Sequence, residues 1–190
     1  MSRKVFLDCG TNRGQGLRQL VGRLGIDSSW LVEAFEPNAN GCNTAKHLED
    51  MPYVKLHNKA VYDRTGVVEF SIMTEDDQGS SIRKYMDSGI CIDENHPSYR
   101  NHDCVIEVEC VDISDILKQY DDSDFIAVKL DVEGSEFAII RKILKDGTIK
   151  KINELFVEWH TPYLSSETPQ TEAELKSNIQ NLGVKLHDWH

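Results

Sequence analysis

No two cysteines stand as C-x-x-C, and the total is odd: Cys9, Cys42, Cys91, Cys104 and Cys110. That excludes a paired disulfide frame and a zinc ribbon, and it fits reduced structural thiols in the cytoplasm. Nothing approaches the ~18 consecutive apolar residues of a membrane span. The opening Met1-Ser2-Arg3-Lys4 runs into a strand without the apolar core of a signal peptide. Positive charge is scarce: 21 Lys and Arg stand against 32 Asp and Glu, a net charge of −11. Nucleic acid and anionic membrane both reward basic patches, so neither is the expected partner. A small molecule or a glycan is. There is no run of five like charges, no internal repeat and no linker, so residues 1–190 read as one domain.

Present instead is a regular alternation of apolar strands and amphipathic helices. Lys4 to Cys9 reads as a strand, and Leu17, Leu20, Val21 and Leu24 recur at helical spacing up to Gly25. Trp30 to Phe35 is a second strand, followed by a helix from about Asn40 to Leu48. Tyr53 to Val61 is expected as a third strand, with Gly66 to Met73 as its hairpin partner. Residues 74–103 form a long polar loop expected to cover a site. Its His96, His102 and neighbouring Cys104 are not expected to form a metal cluster. Cys104 to Val111 alternates as a strand, and Asp112 caps a short helix. Phe125 to Leu130 is a buried strand; Phe137, Ile140 and Leu144 line a helix that Gly147 stops. Leu155 to Trp159 is a strand, Thr171 to Glu174 opens a helix as a capping box, and Val184 to Trp189 is the last strand. This order predicts an α/β fold, Rossmann-like, with a mainly parallel sheet and helices on both faces.

In such sheets a ligand sits beyond the carboxyl ends of the strands. Those ends carry Asp8-Cys9-Gly10-Thr11-Asn12, Glu36, Asn58 to Val61, Asp131 and Glu158-Trp159-His160. The glycines Gly10, Gly14 and Gly16 suit close backbone approach to a ligand, and a carboxylate at Glu36 suits ribose hydroxyls. Two nucleotide readings fail. No tyrosine has a lysine four residues on, which a short-chain dehydrogenase needs, and there is no G-x-x-x-x-G-K-[ST] loop. Asp8 inside the glycine turn suits a cationic ligand better than a pyrophosphate. S-adenosylmethionine (SAM), with its sulfonium and ammonium groups, is such a ligand.

Five segments, "VFLDCGTNRGQGL", "EAFEPN", "NKAVYDRTGVVEF", "GSSI" and "VKLDVEGSEFAIIRKI", occur in that order. Together they resemble the FkbM family of SAM-dependent methyltransferases from residue 5 to about residue 160. The resemblance implies a class I methyltransferase fold and O-methylation of a sugar or other small hydroxylated acceptor. It implies a SAM site on Asp8, Gly10, Asn12, Glu36, Asn58, Ala60, Val61 and Asp131. The chain lacks the helices that often precede the first strand and the final antiparallel strand, as a domain cut from a longer protein would.

The acids of "DVEGSE" need a reason. An alcohol is about as weakly acidic as water, pKa ~15.7, so a base or a metal must help it attack. The expected catalytic set is Asp131, Glu133 and His160, with His160, ordinarily titrating near ~6.5, as the natural proton acceptor. Asp131, Glu158 and His160 form the candidate set for one Mg²⁺ or Ca²⁺. Glu136 is expected to face away, as an acid favouring a helix N-terminus. Two other functions fit the same motifs: an inactive SAM-binding regulatory module, and an N-methyltransferase acting on protein or nucleic acid.

Overall fold

The computed structural model describes residues 2–72, 80–82 and 104–189. The chain runs β1 (Lys4–Cys9), α1 (Gln15–Leu24), β2 (Trp30–Phe35), α2 (Ala39–Ala45) and β3 (Val54–His57). Then come β4 (Ala60–Tyr62), β5 (Gly66–Ile72), β6 (Cys104–Asp112) and α3 (Ile113–Leu117). The last part is β7 (Phe125–Leu130), α4 (Glu136–Asp146), β8 (Glu154–Val157), α5 (Pro169–Asn181) and β9 (Lys185–Asp188).

Six strands form one sheet in the order β3-β2-β1-β7-β8-β9, and every pairing in it is parallel. Alternate residues of each strand feed opposite cores. Val5, Leu7, Ile126 and Val128 pack under α3, α4 and α5 with Ile116, Phe137, Ile140 and Ile179. Phe6, Ala127 and Phe156 pack under α1 with Leu17 and Leu20. Both faces are therefore apolar, which is why these strands read as apolar runs. Each fully buried side chain of this size contributes roughly 1.5–3 kcal/mol.

The order reverses between β1, which pairs with β2 on one side, and β7 on the other. That is the switch point at which such sheets open a crevice at the strands' carboxyl ends.

Three expectations are corrected. The predicted strand from Tyr53 to Val61 is two strands: β3 belongs to the main sheet, and β4 to a three-stranded sheet of order β4-β6-β5. The break falls at Asn58, whose amide donates to the carbonyls of Glu36 (2.8 Å) and Pro37 (3.0 Å). The chain is thereby tied to the end of β2 before it leaves. Likewise β5 pairs antiparallel with β6 and not with β4. Val68 opposite Val108 and Phe70 two residues on give that pair a common apolar face. Finally, α5 is capped by Thr168 with Thr171 in a reciprocal box, and Pro169 starts it three residues earlier than expected.

No helix among the described residues is long and apolar enough to cross a membrane. Cys9 and Cys110 are buried free thiols. The side chains of Cys42, Cys91 and Cys104 lie outside the described residues, as do His96 and His102.

Candidate active site

The glycine turn after β1 is bound to the end of β2 through backbone. The Gly10 and Thr11 N–H groups both donate to the Phe35 carbonyl at 3.0 Å. Gly10 has φ +79°, and a Cβ there would lie 1.8 Å from the Asp131 carbonyl oxygen. Only glycine lets the ends of β1 and β7 meet so closely. Asn12 follows in the left-handed region, φ +47°, and its N–H donates to Glu36 Oε2 at 2.9 Å. The Asn38 N–H donates to Glu36 Oε1 at 2.8 Å. Glu36 is thus held at both oxygens, 6% exposed. Burial pushes its carboxyl up to about 7, against the pull of the two N–H groups.

Beneath the turn lies a lysine that the sequence reading passed over. Lys129 is 1% exposed. Its Nζ donates to the Gly10 carbonyl at 3.0 Å and pairs with Asp131 Oδ2 (3.1 Å) and Asp8 Oδ1 (3.3 Å). Burial opposes the charge, but the two carboxylates more than offset it, and the ammonium titrates above its ordinary range. Asp8, fully buried, also accepts from the Thr11 hydroxyl. Gly16 makes room for this lysine: a Cβ there would stand 2.5 Å from Lys129 Cε. The parallel register of β1 and β7, which no local pattern in the sequence records, sets Lys129 opposite Asp8.

The acid turn after β7 is built differently. Glu133 has φ +51° and Gly134 φ +95°. His160 lies between two carboxylates, its Nδ1 3.0 Å from Glu136 Oε1 and its Nε2 3.2 Å from Glu133 Oε2. Burial works against its charge, yet the two acids win and push its pKa up to about 11. At neutral pH the ring is an imidazolium donating at both nitrogens, which leaves no lone pair for the proton-acceptor role expected from its ordinary pKa. Glu136 does not face away: it is fully buried and also accepts from the Val132 N–H at 2.9 Å. Glu158, half-buried, shares a hydrogen bond with Asp131; burial first, then the Asp131 charge, pushes its carboxyl up to about 7.

Ligand atoms of Asp131, Glu133 and His160 lie within 4.8 Å of one another. This differs from the expected metal set of Asp131, Glu158 and His160. A metal there would displace the proton from His160 and compete with Lys129 for Asp131, since it requires neutral imidazole and ionised carboxylates. Among the described residues these three, with Glu133 in place of Glu158, are the side chains that would hold a cation.

A cavity of about 270 Å³ joins these parts, lined by Gly10, Asn12, Glu36, Ala60, Val61, Asp131 and Glu133 among others. Asp8 lies below it, Asn58 shapes the Glu36 turn from outside, and His160 supports Glu133 from behind. From the long loop, Ser80 and Ile82 also line the cavity. Ser81 is bridged to Ser71 and its hydroxyl donates to the Glu133 carbonyl. The rest of the expected covering loop lies outside the described residues.

A parallel sheet with helices on both faces, and a cavity over its switch point, define a Rossmann-like methyltransferase fold. The family model described as "Methyltransferase FkbM domain" matches residues 8–184, and the chain belongs to that family. No curated protein and no solved structure matches the chain.

Proposed function

We propose that this methyltransferase uses SAM to methylate a hydroxyl of a sugar or other small hydroxylated molecule. The observation that carries the reading is one cavity with Glu36 and the glycine turn at one part and Asp131 with Glu133 at another. When bound, SAM supplies a methyl group on a cationic sulfur. Gly10, Asn12, Glu36, Ala60 and Val61 would hold it, with Glu36 accepting from ribose hydroxyls. Its fixed oxygens cost no reorganisation on binding.

Asp131 and Glu133 are the groups placed to receive the proton of an acceptor hydroxyl. Lys129 holds one oxygen of Asp131, and His160 holds one oxygen of Glu133, so both carboxylates are fixed at the cavity wall. Positioning of this kind supplies much of the rate enhancement. Buried thiols suit a cytoplasmic enzyme.

The test has two parts. Calorimetry should show micromolar binding of SAM and its demethylated product and none of NAD, with Glu36→Ala weakening SAM roughly ten- to a hundredfold. A screen of glycans, small glycosides and nucleosides should give SAM-dependent methyl incorporation into a hydroxylated acceptor. Unchanged affinity in Glu36→Ala would overturn the donor site; methylation confined to nitrogen would overturn the acceptor class.

A further inference from the structure

The cavity has two ends of opposite character on either side of its middle. Toward the small sheet its walls are Ala60, Val61, Phe70 and Ile82, apolar apart from the neighbouring Ser80. Toward α1 they are Gln15, Gln19, Glu158 and Trp189. A purine next to a ribose held by Glu36 belongs at the apolar end, since Ala60 and Val61 follow directly from the Asn58 tie to the Glu36 turn. With the methionine part of SAM over Gly10 and Asn12 at the middle, the amide, acid and indole end is left for the acceptor.

This end is built, not incidental. Trp189 is only 9% exposed; its backbone N–H donates to the Val157 carbonyl at 2.9 Å, and its ring packs edge-on to Phe156 at 6.4 Å. The Glu158 N–H donates to the Leu130 carbonyl at 2.9 Å, which fixes the residue beside β7, and its carboxyl contacts Asp131. Gln15 Oε1 accepts from the Arg13 N–H at 3.0 Å, which leaves its NH₂ as a donor. Gln19 is exposed one turn along the same helix face. An indole with two amides and a carboxyl matches a ring with an apolar CH face and a rim of hydroxyls.

We propose that Gln15, Gln19, Glu158 and Trp189 form the acceptor subsite and that it takes a pyranose ring. Glu158 holds a ring hydroxyl next to the one offered to Asp131, and Trp189 backs the apolar face. The inference rests on the donor-site reading above.

The experiment uses protein saturated with the demethylated cofactor and methyl glycosides of common hexoses as probes, followed by saturation-transfer NMR. SAM affinity is measured separately by calorimetry. Wild type should contact a glycoside. Trp189→Ala should weaken that contact at least tenfold, and Trp189→Phe should restore it to within threefold. Gln19→Trp, on an exposed helix position that does not disturb the core, should block it. SAM affinity should stay within twofold in all three. The proposal falls if SAM affinity drops in parallel with glycoside binding, if no variant alters the glycoside contact, or if wild type binds SAM but no glycoside. Failure of wild type to bind SAM would overturn the donor-site reading, and this inference with it.

Discussion

Around Glu36 the polar contacts run from backbone N–H to carboxylate; around His160 they run from side chain to side chain. The donor cradle takes its shape from strand ends held by main-chain bonds, so its geometry survives many side-chain changes. The acid turn takes its shape from the ion pairs of His160 with Glu133 and with Glu136, the latter 24 residues away. A donor site that must grip one cofactor can be rigid. A site that moves a proton needs groups whose charge is set by neighbours, and those neighbours come from other strands.

Gly10→Ala should have the largest effect, because it breaks both regions at once. Its Cβ would collide with the Asp131 carbonyl and occupy a backbone conformation that side chains disfavour. A loss of at least ~3 kcal/mol in stability is expected, with SAM binding abolished. Thermal unfolding and calorimetry read the two together; a stable variant with normal SAM affinity would contradict the close joint between β1 and β7.

Asp131→Asn should separate the regions. It keeps size and most hydrogen bonding but removes the charge facing Lys129 and the cavity. Turnover should fall ~10²-fold, the usual scale for lost acid–base help, with SAM affinity within a few fold. If SAM binding is lost instead, Asp131 belongs to the cradle.

The smallest effects are in pH dependence, and they differ by region. Glu36 in the folded protein titrates near about 7 against an ordinary 4.5. Its stabilising contribution is complete below 4.5 and is lost as pH rises through about 7. Donor affinity should move the other way, rising over that range, because ribose hydroxyls donate to the carboxylate form. His160 titrates near about 11 against 6.5. Its contribution is complete below 6.5 and lost as pH rises through about 11. Unfolding measured from pH 4 to 11 should therefore decline in two stretches. Glu36→Gln should shrink the lower one, leaving the share of Glu158, which is also pushed up to about 7, and His160→Gln should shrink the upper. A single stretch abolished by either substitution would mean that the two regions are coupled rather than distinct.

Much of this molecule is legible without coordinates. The limits of β1, β2 and β7 coincide with their mainly apolar runs, because a strand buried on both faces leaves a near-continuous apolar signal. Gly25 and Gly147 end α1 and α4 as expected, since the left-handed residue that closes a helix favours glycine. The positions of Glu36 and Asp131 follow from the same pattern, as each comes directly after a recognisable strand. Illegible were the partner of β5, the division of residues 53–61 between two sheets, and the cap at Thr168. Strand pairing depends on which edge is free, and a short apolar run does not record that. A polar run from Ser165 to Thr171 offers several caps, and which one is used depends on where the helix packs.

The sequence by itself determined the α/β order, the acids at the strand ends and the resemblance to FkbM methyltransferases. These rest on contacts between residues close in the chain: alternating apolar positions, glycine at a turn, an acid directly after a strand. Tertiary structure alone decided that Lys129 reaches under the glycine turn, that Gly16 is small on its account, and that His160 is a cation rather than a free base. Each of those depends on charges and volumes brought together from distant segments in a buried place. There a neighbour 3 Å away outweighs anything that a residue's own type prescribes.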